Sequence, residues 1–234
     1  MKVRKILFFV FFLFIQIEIF SQGVVVDTLV LNRDTTDLHF IRYTPENARF
    51  RFVREKPDID DESIYMSVVA AFTSRPPERI VGKSVSNGLE KVYPTEEETA
   101  YCIIINDTVD IFPLHENSNY NYKEAIKRKG DYFQQMLLVW DFQIKKCDVF
   151  KDRKTERRAL VLINGQASIV ESEEKLHIDD FSRGLVELGA DKAIYLDMGS
   201  WSQGWYRKKD NTIVDIGKNW KSSHLQTNWL IITD

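Results

Sequence analysis

The sequence has only two cysteines, and its four histidines lie far apart along 234 residues. Neither residue type shows the spacing of a zinc site. No histidine is paired with a nucleophile, so no hydrolase triad is recognised. We therefore expect no metal and no cofactor. Cys102 reads as part of a strand, and the sequence leaves open whether it forms a disulfide with Cys147 or is a buried thiol.

The chain also lacks an excess of charge of one sign. It carries 32 Lys and Arg against 35 Asp and Glu, and the net charge of −3 is spread over interleaved acids and bases. No face is built to neutralise a phosphate backbone, so we expect no nucleic-acid partner. With 44% apolar residues and no internal repeat, the composition fits one soluble domain with a sizeable core.

Long apolar runs are absent after the N-terminus. There, MKVRK is followed by ILFFVFFLFIQIEIF and then by SQG, which is the order of a secretory signal peptide. Gln16 and Glu18 shorten the apolar run below the roughly 20 residues of a spanning helix, which disfavours the competing reading of an uncleaved anchor. No cysteine follows the apolar run, so a lipid anchor attached to a cysteine is not indicated. We predict a signal peptide at residues 1–22, a domain at 23–234, a secreted or periplasmic location, and no stable membrane span after cleavage.

Strand patterns dominate the remainder. VVVDTLVLN, DLHFIRYT, IYMSVVAAF, YFQQMLLVWDF and TNWLIITD are rich in β-branched and aromatic residues. Asn164–Gly165, between two such runs, predicts a type I′ hairpin, and Asn106–Asp107 predicts a second hairpin turn. KKDN predicts a third turn, whereas TSRPPERIVGKSVSNG is expected to be a long irregular loop.

Two segments show helical patterns. YNYKEAIKRKG is expected to be helical and to stop near Gly130. A second helix is predicted where apolar residues recur on one face, with Asp179 or Asp180 as its cap and Gly189 at its end. Strands and helices do not alternate along the chain, so we predict the α+β class: a single domain with a mixed or antiparallel β-sheet core and a few packed helices.

One stretch, AIYLDMGSWSQGWYR, suggests a functional site. Asp197 ends an apolar strand, so its carboxylate is expected at the rim of a sheet, where a ligand can approach. Gly199 and Ser200 follow it and leave backbone N–H groups available to bind an anion. The alternative is structural, because an Asp after a strand commonly caps the following turn.

Aromatic residues follow in the same stretch. Trp201 and Trp205 could present flat faces on which a sugar stacks, with Arg207 beside them. Tryptophans in a hairpin are, however, more often packed in the core. The loop after Thr73 adds Lys83, a second basic group that could instead be a solvated surface residue.

The C-terminal third resembles the phosphodiester glycosidase family, which includes the enzyme that removes N-acetylglucosamine from a phosphodiester. In that family an RTA strand leads to a DG hairpin, a helix ending in LG, an alanine-led strand and a loop NLDGGGS. RRALVLINGQ and GLVELGADKAIYLDMGSWS match this order over about 80 residues. The matching positions are Arg157, Ala159, Asn164–Gly165, Leu188–Gly189, Ala193, Leu196–Asp197, Gly199 and a serine at Ser200 or Ser202.

The resemblance implies roles for these residues in a divergent bacterial member. Arg157, or Arg158 if the register is shifted by one, would bind the phosphate with its planar fork. Asp197 would activate water or support a developing oxocarbenium ion. Gly199 and Ser200 would offer donors, and the loop starting at Thr73 would close the other side.

The chain also departs from the family pattern. The family's asparagine in N-A-G-F-F is missing from residues 70–73, Met198 and Ser200 replace two glycines of the loop, and no arginine precedes the last strand. Two hypotheses follow. The first is a hydrolase that cleaves a sugar-1-phosphodiester or a related glycosidic linkage; the second is a catalytically inactive glycan-binding or envelope protein on the same fold.

Overall fold

The structure is a computed structural model that describes residues 22–33, 37–74, 78–93, 98–146, 152–199, 202–218 and 223–234. Residues 1–21 of the predicted signal peptide lie outside the described residues. So do three residues named above: Cys147, Ser200 and Trp201. Among the described residues, no helix combines the length and the apolar character that crossing a membrane requires.

β-strands make up most of the described chain. In chain order they are β1 (Gly23–Leu31), β2 (Leu38–Glu46), β3 (Arg49–Val53), β4 (Ile64–Val69), β5 (Gly82–Ser86), β6 (Leu89–Tyr93), β7 (Ala100–Ile105), β8 (Thr108–Pro113), β9 (Asp131–Gln135), β10 (Leu137–Trp140), β11 (Gln143–Ile144), β12 (Arg158–Ile163), β13 (Gln166–Ser172), β14 (Ala190–Leu196), β15 (Gly204–Arg207), β16 (Ile213–Ile216) and β17 (Trp229–Thr233).

The strands form three sheets, and every strand pair described is antiparallel. The first sheet has the order β1-β2-β13-β12-β14-β10-β11. The second has the order β16-β15-β4-β17-β3. The third has the order β6-β5-β9-β7-β8.

The described residues include two α-helices, one against the third sheet and one against the first. Helix α1 (Ser118–Lys127) packs against β7 and β9, and α2 (Ile178–Glu187) packs against β14 of the first sheet. Helix α2 begins one residue before Asp179, so both predicted caps lie in its first turn, where negative charge is favourable at a helix N-terminus. Gly189 has a φ of 92° and ends the helix as predicted.

The fold is therefore largely antiparallel β with two helices, which fits the predicted α+β class only loosely. Both Asn-containing turns are confirmed: Asn164 and Gly165 have φ values of 52° and 78°, and Asn106 and Asp107 have 50° and 63°. All four residues adopt the positive φ that a type I′ turn requires.

Two local predictions were wrong. The expected irregular loop from Thr73 to Gly88 contains β5, which pairs with β6 and β9. The stretch YFQQMLLVWDF, expected as one strand, divides into β9 in the third sheet and β10 in the first. The chain therefore crosses between two sheets close to Met136.

One hydrophobic cluster joins all three sheets. Phe52 of the second sheet stacks on Phe133 of the third at 5.1 Å between ring centroids. Tyr43 of the first sheet contacts Tyr206 of the second at 5.5 Å. Cys102 lies in the same cluster as a free, fully buried thiol, and its possible disulfide partner, Cys147, lies outside the described residues.

Candidate functional site

The ladder between β12 and β14 brings the two predicted catalytic residues together. Ala159 lies opposite Tyr195, and Arg158 lies opposite Leu196. Arg157 directly precedes β12 and Asp197 directly follows β14, so both residues lie at the same end of this antiparallel pair. The guanidinium carbon of Arg157 is 6.0 Å from the ring centroid of Tyr195. Arg157, Tyr195 and Asp197 therefore form one group at this end of the sheet.

Backbone groups direct the buried side chain of Arg157. Its Nε donates to the carbonyl oxygen of Leu176 at 3.2 Å, and its Nη2 donates to that of Arg153 at 2.5 Å. Its backbone N–H donates to Ser172 Oγ at 2.9 Å. The guanidinium is thus held in one orientation before any ligand arrives.

Asp197 lies at the seam between the first and second sheets. Its backbone N–H donates to the carbonyl oxygen of Ala70, directly after β4, at 3.1 Å. The half-buried carboxylate accepts the N–H of Gly199 through Oδ1 at 2.8 Å. Asp197 therefore caps its own turn with one oxygen, which is the structural role considered from the sequence.

Tyr195 was not singled out from the sequence. The ring is buried, and burial raises the pKa of its hydroxyl to about 12 against the opposing effect of the Arg157 charge. It packs against Phe72 at 5.9 Å between ring centroids. The available signal was a tyrosine two positions before Asp197, on the same strand face.

Asn228 is a second residue that sequence reasoning missed. Its buried side-chain amide makes two hydrogen bonds with the backbone of Ala71. Oδ1 accepts the N–H of Ala71 at 2.7 Å, and Nδ2 donates to the carbonyl oxygen of Ala71 at 3.0 Å. Beside it, the hydroxyls of Thr73 and Thr227 lie 2.9 Å apart. These residues lie beside the Ala70–Ala71 segment, and the carbonyl oxygen of Ala70 accepts the N–H of Asp197. An asparagine directly before the last strand was the only signal.

The neighbouring Arg158 points to the opposite strand face from Arg157. Its Nη2 lies 2.9 Å from Glu171 Oε2, and its Nη1 donates to the carbonyl oxygen of Ser202 at 3.4 Å. The side chain is fully buried. A buried arginine paired with a carboxylate forms a structural ion pair. The geometry therefore favours Arg157, and not Arg158, for the proposed phosphate-binding role.

Trp205 and Arg207 lie within the second sheet, away from the predicted cleft. Trp205 is buried in a cluster with Ile64 and Trp229. Arg207 is also buried, and its Nη2 donates to the carbonyl oxygen of Ile59 at 2.7 Å. The structure therefore does not show the predicted sugar-stacking face at Trp205, which packs within the second sheet. Arg207 instead binds the segment that precedes β4.

Lys83 lies on the third sheet, beside α1. Its Nζ donates to Asn119 Oδ1 at 3.2 Å and is 5.3 Å from the ring centroid of Tyr122. The structure thus brings together Arg157, Asp197 and Gly199, while Lys83 contacts a different element. Among the described residues, no cluster of three or more His, Cys, Asp or Glu side chains is arranged to hold a metal ion.

Comparison with known proteins finds similarity at the level of structure. No protein-family model and no curated protein matches the sequence. The catalytic domain of zebrafish N-acetylglucosamine-1-phosphodiester alpha-N-acetylglucosaminidase, auto-inhibited by its pro-peptide, matches with a TM-score of 0.64 at 11% identity, over 91% of this chain and 83% of that one.

A second solved structure shares the fold. A hypothetical protein from Synechocystis matches with a TM-score of 0.58 at 12% identity, over 91% of this chain and 62% of that chain. At such low identities, these similarities establish a shared fold, and the fold alone does not assign an activity.

Proposed function

We propose that this protein is a secreted or periplasmic hydrolase that cleaves a sugar-1-phosphodiester or a related glycosidic linkage. Residues 1–22 would be its signal peptide and residues 23–234 its phosphodiester glycosidase-like domain. The observation that carries the proposal is that Arg157, which directly precedes β12, and Asp197, which directly follows β14, lie at the same end of this antiparallel pair. The shared fold with the zebrafish catalytic domain supports it.

The proposed chemistry divides between the two residues. Asp197 takes a proton from water as the water oxygen bonds to the anomeric carbon, or its charge supports the oxocarbenium-like transition state. The bond from the anomeric carbon to the phosphate oxygen breaks, and the phosphate monoester leaves as an anion. Arg157, already oriented by its backbone acceptors, stabilises that anion.

Other predicted contacts remain part of this proposal. Gly199 and Ser200 would supply N–H donors to the ligand, and Thr73 would contact the sugar from the opposite edge. Trp201 is proposed as an aromatic contact. Lys83, Trp205 and Arg207 are the weakest members of the set, because the described contacts of each are with other parts of the molecule.

A glycan-binding protein without activity is the second candidate. The observation that favours it is the engagement of both proposed catalytic groups: Asp197 Oδ1 accepts the N–H of Gly199, and Arg157 donates to two backbone carbonyls. A site with these interactions could hold a ligand by shape and hydrogen bonding without activating water.

The deciding experiment measures sugar release from a panel of sugar-1-phosphodiesters by residues 23–234. We expect turnover in the unchanged protein and a loss of at least about 10³-fold in Asp197→Asn, because removing a catalytic carboxylate removes its transition-state stabilisation. Asp180→Asn, which changes an exposed helix residue paired with Arg183, is the matched control and should keep full activity.

Thermal unfolding of both variants separates chemistry from stability. Equal activity in Asp197→Asn and the unchanged protein would remove Asp197 from the mechanism. Binding of a glycan with no turnover on any substrate would favour the second candidate.

A further inference from the structure

β1 is an edge strand of the first sheet that lacks the features by which edge strands avoid pairing with another chain. It runs for nine residues and pairs with β2 without a shift in register from its first residue to its last. It contains no lysine, no proline and no bulge, and Asp27 is its one charged residue. A long, regular and apolar edge of this kind is a template for a further strand.

The other five edge strands are each protected. β11 has two residues and β16 has four. β3 carries Arg49 and Arg51, β6 carries Glu90 and Lys91, and β8 ends in Pro113. Short length, charge and proline are the means by which natural sheets prevent pairing at an edge. Within the part of the chain that the structure describes, β1 is therefore the edge that is left open.

One face of β1 presents a row of β-branched side chains to solvent. Val26 is 39% exposed and Val30 is 46% exposed, and Thr28 between them is exposed as well. These three residues share a face because side chains alternate along a strand. On the opposite face, Arg42 of β2 donates from Nη2 to Asp27 Oδ2 at 2.9 Å. No described residue pairs with the outer backbone edge of β1.

We propose that β1 is a dimerisation surface, on which β1 of a second copy of this chain pairs in the antiparallel direction about a two-fold axis at Thr28. In this register Thr28 lies opposite Thr28 of the second copy, and Val26 lies opposite Val30. The exposed row then pairs only with itself. Thr–Thr pairs and pairs of β-branched side chains both stabilise neighbouring strands, so the row is complementary to its own copy.

The charge and length of β1 favour this register over its neighbours. An axis at Asp27 would set two carboxylates opposite each other, which is destabilising. An axis at Leu29 would confine the ladder to residues 27–31, whereas an axis at Thr28 uses residues 25–31. With the axis at Thr28, Asp27 lies opposite Leu29 of the second copy and keeps Arg42 as its partner.

This inference is independent of the proposed hydrolase activity. Two strands, β2 and β13, separate β1 from β12, which follows Arg157. A dimer through β1 would extend the first sheet across both copies and leave the β12–β14 end of each copy uncovered by this pairing. Loss of the dimer and loss of turnover are therefore separate outcomes.

Sedimentation velocity tests the dimer. We expect the unchanged protein to sediment as a dimer and Thr28→Lys as a monomer, because the lysine sets two ammonium groups opposite each other at the two-fold axis. Leu89→Lys is the matched control and should remain dimeric, since Leu89 is 67% exposed on β6, an edge of the third sheet.

Three results of that experiment would overturn the proposal. The first is a dimer that persists in Thr28→Lys, and the second is a dimer that is lost in Leu89→Lys. The third is a monomer in the unchanged protein at every concentration, which would leave the β1 edge to a strand of a different protein.

Cysteine cross-linking tests the register. Thr28→Cys brings the two new thiols opposite each other, where a disulfide can form. Val26→Cys, the control, separates them by four positions, which is about 13 Å along the strand. On non-reducing electrophoresis we expect a covalent dimer in Thr28→Cys, above the background of the unchanged protein, and none in Val26→Cys. Equal cross-linking in the two variants, or no cross-linking in Thr28→Cys, overturns the pairing about Thr28.

Discussion

At Gly217, the methyl group of an alanine would clash with the backbone of a neighbouring segment. Gly217 follows β16 with a φ of 72°, and a Cβ atom there would overlap the carbonyl oxygen of Ser202. Gly165, at the tip of the β12–β13 hairpin, has a similar φ of 78° but no atom within 4 Å of its Cβ position. The two glycines share a backbone conformation and differ in available space.

We expect Gly217→Ala to reduce the free energy of unfolding by about 3 kcal/mol or more, and Gly165→Ala by only about 1–2 kcal/mol. The second value is the penalty for a left-handed conformation, and the excess at Gly217 reflects steric overlap. Urea denaturation of both variants measures the difference. Equal losses would show that the segments at Ser202 and Gly217 separate easily.

At the same scale, the sequence predicted Arg157 and Asp197 as partners but could not identify Tyr195 or Asn228. A shift of one residue in register moves every side chain to the other face, so Arg157 and Arg158 were interchangeable until the β12–β14 pairing was known. Asn228 acts on Ala71, which is distant in sequence. Neither relationship leaves a local pattern.

Among the elements, the connection between β13 and α2 holds Arg157 in place. This connection supplies the carbonyl oxygen of Leu176, and it is fastened to the start of β2 by His39 and Glu174. His39 Nδ1 lies 2.6 Å from Glu174 Oε1, and its backbone N–H donates to Oε2 at 3.0 Å. The hydrogen bond to Glu174 raises the pKa of His39 above 6.5, with Glu173 and Asp37 adding to the effect.

A raised pKa in the folded state means that the protonated imidazole is stabilised by folding. We therefore expect the stability of the unchanged protein relative to His39→Gln to be greatest below about pH 6.5 and to decline as the pH rises through the folded-state pKa. Thermal unfolding at several pH values measures this difference.

The matched variant is Glu174→Gln, which removes the carboxylate that accepts from His39, and it should abolish the same pH dependence. A stability difference between the unchanged protein and His39→Gln that does not vary with pH would contradict the assignment.

At the level of elements, features set by neighbouring residues could be predicted from the sequence, whereas features set by distant residues could not. The Asn164–Gly165 and Asn106–Asp107 turns were predictable because two residues determine the geometry of each. The division of residues 131–140 between two sheets was not, because β9 pairs with β7 while β10 pairs with β14. Such pairings depend on residues far away in the chain.

For the whole molecule, contacts among the three sheets predict unfolding as one unit. Besides the shared aromatic core, Lys192 of the first sheet lies 2.6 Å from Asp110 of the third. The Lys192 ammonium is also 4.9 Å from the ring centroids of Phe112 and Trp140. Each sheet also contributes to a hydrophobic cluster of its own, but the shared cluster contains residues of all three sheets.

We expect a single cooperative transition, with equal calorimetric and van't Hoff enthalpies, for residues 23–234. Fluorescence of the tryptophans in the second sheet and amide exchange in the third should report the same midpoint. Two separate midpoints would show that the sheets form independent units. The sequence predicted one domain from its length, but the three-sheet arrangement depends on long-range pairing and was not predictable.

The hydrogen bond from the Asp197 N–H to the Ala70 carbonyl makes the proposed site a joint between two sheets. Asp197 directly follows β14 of the first sheet, while Ala71 follows β4 and Asn228 precedes β17 of the second. A small rotation of one sheet against the other would therefore change the spacing between Asp197 and the Ala70–Ala71 segment. Core substitutions far from the proposed site that tilt the two sheets would then change the geometry of the site without altering any of its residues.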